Sequence, residues 1–422
     1  MAPQNGLSRR RLLGGAGAGV AVGAAGFGAG FGVGRLSDDS TAAASPTGGL
    51  DAVDLGQSID FYTGAHQAGI DTPQQRYCVF MTFDLTASTS QELQVLLARW
   101  SAAIAQCMAG EPVGSVAPDR VGAVAADTGE ALDLGPASLT VTVGLGPRVF
   151  DERFGLAGKK PKLLADLPAL PSDQLRTELT GGDLSLQACA DDPQVAYHAV
   201  RDLARMGRGV VNTRWVVLGF GRASAGPGQS TPRNLMGFKD GTRNIKEAAD
   251  LDEFVWVDDD VDWMNGGGTY QVTRKIRMDI EIWDSDDVAD QQRIFARFKQ
   301  DGAPLTGKDE FDTPDFSATG PDGQPVIDPT SHVALAAHEN NGGIRIFRRG
   351  YNFTDGINEV GQLDAGLLFV AYMNDPDHFI QLQTRLGRSD ALNEYIAHIG
   401  SGIFAVPPAP EKGGYLAQGL FA

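Results

Sequence analysis

Cysteine is scarce in this chain: Cys78, Cys107 and Cys189 are the only three in 422 residues, and no CxxC or CxxCH occurs. An odd, widely spaced set supports neither a disulfide framework nor a thiolate metal site, and it excludes covalent attachment of a c-type haem. Histidine is nearly as sparse. Of the six, none forms HExxH, and His332 and His338 are spaced too widely for one helical face, which argues against a zinc protease. There is no GxSxG, no GxxxxGKS/T loop and no strand-borne GxGxxG, since Gly144-Leu145-Gly146 lacks the third glycine. Hydrolase, kinase and dinucleotide-binding readings lose their main support. Positive charge is also short, with 35 Lys and Arg against 53 Asp and Glu for a net −18, so no nucleic-acid partner is expected. With 42% hydrophobic residues the chain is neither disordered nor short of core.

What positive charge there is lies unevenly. The first 35 residues hold Arg9, Arg10, Arg11 and Arg35 and no acid, which leaves −22 on the rest. Ser8-Arg9-Arg10-Arg11-Leu12-Leu13 precedes an uncharged stretch, 14–34, built only of Gly, Ala, Val and Phe. Paired arginines ahead of a weakly apolar, glycine-rich segment look like a twin-arginine export signal. A membrane anchor is the competing reading, because the stretch is about long enough to span. Its glycines argue against a stable apolar helix, each costing about 1 kcal/mol relative to alanine. Thr41-Ala42-Ala43-Ala44-Ser45 offers a small-residue cleavage site. We therefore expect residues 1–45 to be signal and linker, and a mature chain of net charge −20 without a stable membrane span, found outside the cell, in the periplasm or at the envelope.

The patterning then predicts strands at 76–85, 139–145, 183–190 and 211–220, with helices at 90–109 and 193–206. That order, β-α-β-β-α-β, is the split pattern of a ferredoxin-like α+β sandwich. After a Pro/Gly/Ser-rich connection at 226–234 a similar programme restarts. It has a strand-like run at 269–283, a helix at 285–300, a long loop at 302–329, a strand at 366–372 and helices at 376–386 and 391–399. Two ferredoxin-like halves with antiparallel sheets and peripheral helices, 55–225 and 226–422, are the expected architecture.

The remaining motifs are unremarkable singly. Gly237-Phe238-Lys239-Asp240-Gly241-Thr242-Arg243-Asn244 reads locally as a turn. His332, taken alone, is a surface or satisfied histidine, and Arg348-Arg349 a solvated pair. Together they resemble the dye-decolourising peroxidase family, in its twin-arginine-exported, iron-linked branch. Gly237 to Gly241 is similar to that family's GxxDG motif, His332 to its iron-ligating histidine, and Arg348, in Ile346-Phe347-Arg348-Arg349-Gly350, to its distal arginine. Gly64-Ala65-His66-Gln67-Ala68-Gly69-Ile70, the run 366–372 and Leu392-Asn393-Glu394-Tyr395-Ile396 extend the likeness from about residue 55 to the end.

The resemblance implies one non-covalent haem b per chain, held in the C-terminal half. His332 would be the axial ligand and Glu394 the carboxylate that holds its second N–H and raises its basicity. Asp240 would shuttle a proton of hydrogen peroxide and Arg348 would stabilise charge as the O–O bond breaks, giving a ferryl intermediate that oxidises dyes or phenols. An aspartate of ordinary acidity, about 3.9, is a weak base at neutral pH, so acid conditions are expected to favour turnover. Arg243, Asn244 and Arg274 are candidates for the haem propionates, although Arg274 beside Lys275 and Arg277 reads equally as solvated. Leu367 and Phe369, alternating on a strand, either narrow the distal pocket or pack the core. His338 is the alternative ligand, and His66 reads as structural. Trp215, Trp256, Trp263, Tyr351 and Tyr395 are candidate electron relays or core aromatics. Besides peroxidase activity, the likeness leaves open removal of iron from haem, a deferrochelatase, and a non-enzymatic haem carrier needs His332 but neither Asp240 nor Arg348. A zinc-binding or cofactor-free structural protein would show no haem at all.

Overall fold

The computed structural model describes residues 53–226 and 228–422, so the expected export signal lies outside the described residues. In the N-terminal half, β1 (Tyr77–Leu85), β2 (Thr140–Leu145), β3 (Leu184–Ala190) and β4 (Val211–Arg222) pair in the order β2-β3-β1-β4, all antiparallel. Helices α1 (Ser90–Met108) and α2 (Pro193–Met206) cover them. A capping box between Thr89 and Glu92 starts α1, and the Asp192 side chain caps α2 ahead of Pro193. Trp100 of α1 is fully buried and donates its Nε1–H to the Leu203 carbonyl of α2, joining the helices over the sheet.

The C-terminal half repeats the permutation. Here β5 (Thr269–Met278), β7 (Tyr351–Ile357), β8 (Leu363–Met373) and β9 (Ile396–Val406) pair in the order β7-β8-β5-β9, with the two-residue β6 (Phe347–Arg348) on the far part of β8. Short helices α3 (Ala248–Phe254), α4 (Ile280–Ser285), α5 (Val288–Phe295) and α6 (His332–Ala336), with the longer α7 (Pro376–Ser389), surround it. β4 pairs with β7 and β2 meets β9 at Leu145–Ala405, so the eight long strands close into one continuous antiparallel ladder. No helix among the described residues is long and apolar enough to cross a membrane.

Two expectations for this half are corrected. The strand-like run at 269–283 stops at Met278, and α4 and α5, the latter capped by Asp287, replace the single helix expected at 285–300. The helix expected at 391–399 is a single 3-10 turn, Ala391–Glu394, followed by β9. β9 is buried on both faces, so its apolar residues follow no two-residue alternation, and helical spacing was the stronger signal. The 302–329 segment is indeed free of helix and strand.

Candidate active site

One cavity of about 260 Å³ is lined entirely by residues between 234 and 398. The first turn of α6 delivers His332 to it. The ring Nδ1 lies 2.7 Å from Asp390 Oδ2, and Asp390 Oδ1 accepts the Leu392 N–H at 2.9 Å, so this one carboxylate caps the 391–394 turn and fixes the imidazole. Asp390 is buried and ionised carboxylates only accept, hence Nδ1 carries the proton and Nε2 keeps its lone pair. Burial disfavours the charged ring, but the charge and hydrogen bond of Asp390 outweigh it and raise the His332 pKa, with Asp240 adding to and Arg348 opposing the rise. The expected partner was Glu394. That residue is exposed and does not line the cavity, because the turn capped by Asp390 carries it to the surface.

The GFKDG turn forms a second wall. Gly241 has φ +95°, and a Cβ there would come within 2.6 Å of the Ala225 backbone nitrogen, so the motif packs against 224–225 only as glycine. Asp240 is left facing the cavity with Oδ1 2.7 Å from Arg348 Nη1 and Oδ2 accepting from Asn234 Nδ2 at 3.2 Å. Arg348 stands on β6, whose backbone is held by Asn244: the Asn244 oxygen accepts the Arg348 N–H, and its amide donates to the Arg348 and Ala225 carbonyls. Asn244 was expected to meet a propionate. It is buried behind the wall with its amide spent on backbone, so it positions Arg348 instead.

Leu367 and Phe369, two residues apart on β8, both line the cavity with Ile276, Met278 and Phe295. Arg274 is not solvated. It is 1% exposed, lines the cavity, and bonds Asp173 and, at 3.1 Å, the Ser401 hydroxyl. Arg243 also lines it, bidentate to Glu339 at 3.0 and 2.5 Å. Sequence reasoning missed Arg297, buried on the wall and bonded to the Gly302 and Glu310 carbonyls; burial and then the neighbouring Arg243 charge lower its pKa. His338 sits partly exposed near Glu339. His398 reaches the cavity from β9, but burial holds it neutral, at a pKa of about 3, and Gln383 engages its Nε2. His66 stacks on Trp256 with ring centroids 3.3 Å apart and lines no part of the cavity.

Among the aromatics, Trp215 and Tyr351 are core residues that do not line the cavity, and Trp256 and Trp263 pack on His66 and Phe150. Tyr395 differs. Its ring lies 5.0 Å from Trp283, Trp283 lies 5.7 Å from Phe295, and Phe295 lies 6.0 Å from the His332 ring. Trp283, read in the sequence as the end of a strand, is the middle of that series.

A free imidazole nitrogen, apolar walls and a carboxylate-guanidinium pair in one cavity form a donor set that suits haem, with Arg243 and Arg297 suited to its carboxylates. Comparisons with known proteins agree in kind. The profile described as Dyp-type peroxidase, N-terminal, matches residues 67–221, and that described as Dyp-type peroxidase, C-terminal, matches 231–411. Deferrochelatase of Shigella flexneri is 37% identical over 430 residues, covering 98% of this chain and 96% of that one. Deferrochelatase of Yersinia pestis is 38% identical over 375 residues, covering 86% and 85%. Among solved structures, ferric DtpA from Streptomyces lividans superposes with a TM-score of 0.79 at 39% identity, over 87% of this chain and 98% of that one. A DyP-type peroxidase from Cellulomonas bogoriensis gives 0.78 at 35%, over the same shares.

Proposed function

The chain belongs to the Dyp-type peroxidase family and is a haem-dependent enzyme, and from that premise we propose that it reduces hydrogen peroxide in the His332 cavity while oxidising organic donors such as dyes and phenols. The observation that carries this is the meeting, in one cavity, of a carboxylate-held imidazole with the Asp240–Arg348 pair.

Bound haem b supplies iron that accepts peroxide and stores its oxidising equivalents. The protein supplies the rest. His332 Nε2 would hold the iron, and Asp390 keeps the ring in the Nδ1–H tautomer and makes it a stronger donor. Asp240 takes the proton from one peroxide oxygen and returns it to the other, which leaves as water. Arg348, fixed through Asn244, stabilises the charge on the departing oxygen. Leu367 and Phe369 keep the space narrow and dry, so bulky donors stay at the surface and their electrons pass inward by Tyr395, Trp283 and Phe295.

Asp240→Ala and Arg348→Ala are each expected to slow reaction with peroxide by about 10²-fold or more while haem stays bound. Unchanged rates in both contradict the assignment and favour a haem carrier. The name borne by the relatives supports a second reading, removal of iron from haem at the same cavity; incubation with haem and assay for free protoporphyrin separates the two. The repeated strand permutation supports reading 55–225 and 226–422 as duplicated ferredoxin-like domains with haem in the second. The twin-arginine motif supports export to an extracytoplasmic compartment, and replacing Arg9, Arg10 and Arg11 by Lys should trap the protein in the cytoplasm on fractionation.

A further inference from the structure

Away from the haem cavity, the closed ladder encloses a buried cluster that the peroxidase reading leaves unused. Cys78 of β1 and Cys189 of β3 are directly opposite one another in the antiparallel register, share a face, are 1% and 0% exposed, and are both free thiols. Directly opposed residues have Cα atoms about 4.5–5.5 Å apart, within the roughly 4.4–6.8 Å that a disulfide spans. Both belong to one buried cluster enclosed by the strands.

Three neighbours give Cys189 an unusual setting. Arg349 is fully buried, donates to the Ile70, Thr72 and Pro73 carbonyls and to Gln75 Oε1, and pairs with no carboxylate among the described residues. Among the described residues its Nε has no hydrogen-bond partner, and neither has the hydroxyl of the fully buried Tyr351. Tyr351 belongs to the same buried cluster as the two cysteines, and the positive charge of Arg349 acts on Cys189. Gly219, opposite Cys78, leaves room for this, since a Cβ there would lie 2.7 Å from Tyr351 Cβ. A permanently charged guanidinium in the interior needs an anion, and two donors without oxygen partners need an acceptor. A thiolate satisfies both. Burial works against ionisation, but Cys78, the Arg349 charge and Tyr351 together pull the Cys189 thiol below its ordinary value.

We propose that Cys189 and Cys78 form a peroxide-oxidisable pair inside the ladder, Cys189 as the attacking thiolate and Cys78 as the resolving thiol. The Cys189 sulfur attacks one peroxide oxygen, the O–O bond breaks, and the departing hydroxide takes a proton from solvent to become water, leaving a sulfenic acid. The Cys78 sulfur then displaces the hydroxyl group, its thiol proton leaves with that group as a second water, and the S–S bond forms. Two electrons pass from the sulfurs to one peroxide. The bond discharges Cys189 and leaves Arg349, next in the chain to Arg348, facing no anion. Burial restricts access to an oxidant about the size of water. Cys107, buried on α1 away from any other cysteine and pushed up to about 12, chiefly by burial, is the internal control.

The test exposes the folded full-length holoprotein to a small excess of hydrogen peroxide, quenches with catalase, then unfolds it in alkylating reagent and maps the peptides. Alkylatable thiols should fall from three to one, with a 78–189 linked peptide, and Cys189 should be oxidised at least tenfold faster than Cys107. In Cys78→Ser, Cys189 should stop as a sulfenic acid that a dione probe traps. Three thiols surviving, or Cys107 lost as fast as Cys189, overturns the proposal; the wild-type count decides even where the variant does not fold. Because the readout is thiol state rather than dye turnover, it stands or falls separately from the peroxidase assignment.

Discussion

Asp390 does two things with one carboxylate: it ends α7 by capping the following turn and it holds the His332 ring. Removing its charge while keeping its shape therefore separates ring basicity from backbone structure. Asp390→Asn is expected to weaken haem affinity about 10–100-fold in a spectroscopic titration, the usual cost of losing a partner of a metal-bound histidine. Glu394→Gln is expected to leave it unchanged; the opposite ranking restores Glu394. The reason Glu394 was the natural choice in the sequence is instructive. It sits in a recognisable motif, whereas Asp390 is an ordinary helix-terminal Asp, and only the fold closes the separation of 58 positions between it and His332. Asp240, His332 and Arg348 were legible because each stands in a distinctive local string. Arg297 was not, because within the helix expected at 285–300 it is an ordinary arginine, and only the fold, ending α5 at Phe295, turns it inward to the Gly302 and Glu310 carbonyls.

At the scale of elements, α2 carries the clearest pH dependence. His198 is clamped between Asp202 of its own helix and Asp127 of the 111–136 loop, at 3.2 and 3.1 Å from one ring nitrogen. Burial opposes the charged ring, yet hydrogen bonds that the ring donates to the two carboxylates raise its pKa from 6.5 to about 8. A raised pKa means the folded state holds the proton more tightly. The clamp's contribution, on the order of 2 kcal/mol, is fully present below about 6.5 and fades as pH rises through 8. The melting temperature should fall by about 3 °C over that interval beyond any fall in His198→Gln, and parallel curves for the two proteins would refute the clamp. The Tyr395–Trp283–Phe295 series makes a second prediction. Trp283→Phe and Tyr395→Phe should each slow oxidation of a bulky dye about tenfold and leave a small donor's turnover unaltered. Equal effects on both donors would place these rings in the core alone. Helices with clear caps, α1 and α2, were readable from sequence nearly to the residue. β7, for which no strand was expected, and β9, apolar on both faces, were not, because their identity comes from the strands beside them.

The whole molecule joins two similar strand programmes into one ladder, and the two reactive regions fall on different sides of it. The cavity lies where β5, β8 and β9 meet the short helices, and the thiol pair lies among the rings enclosed with β1, β3, β4 and β7. The acidic body, −22 beyond residue 35, is suited to drawing cationic donors toward the surface near Tyr395. The peroxidase reading turns on haem bound through His332. The most direct measurement is the absorption spectrum of the purified protein after haem is supplied. An intense Soret band is predicted for the wild type and for Asp240→Ala, and its loss for His332→Ala. A wild type without that band, or a His332→Ala spectrum identical to it, would contradict the account.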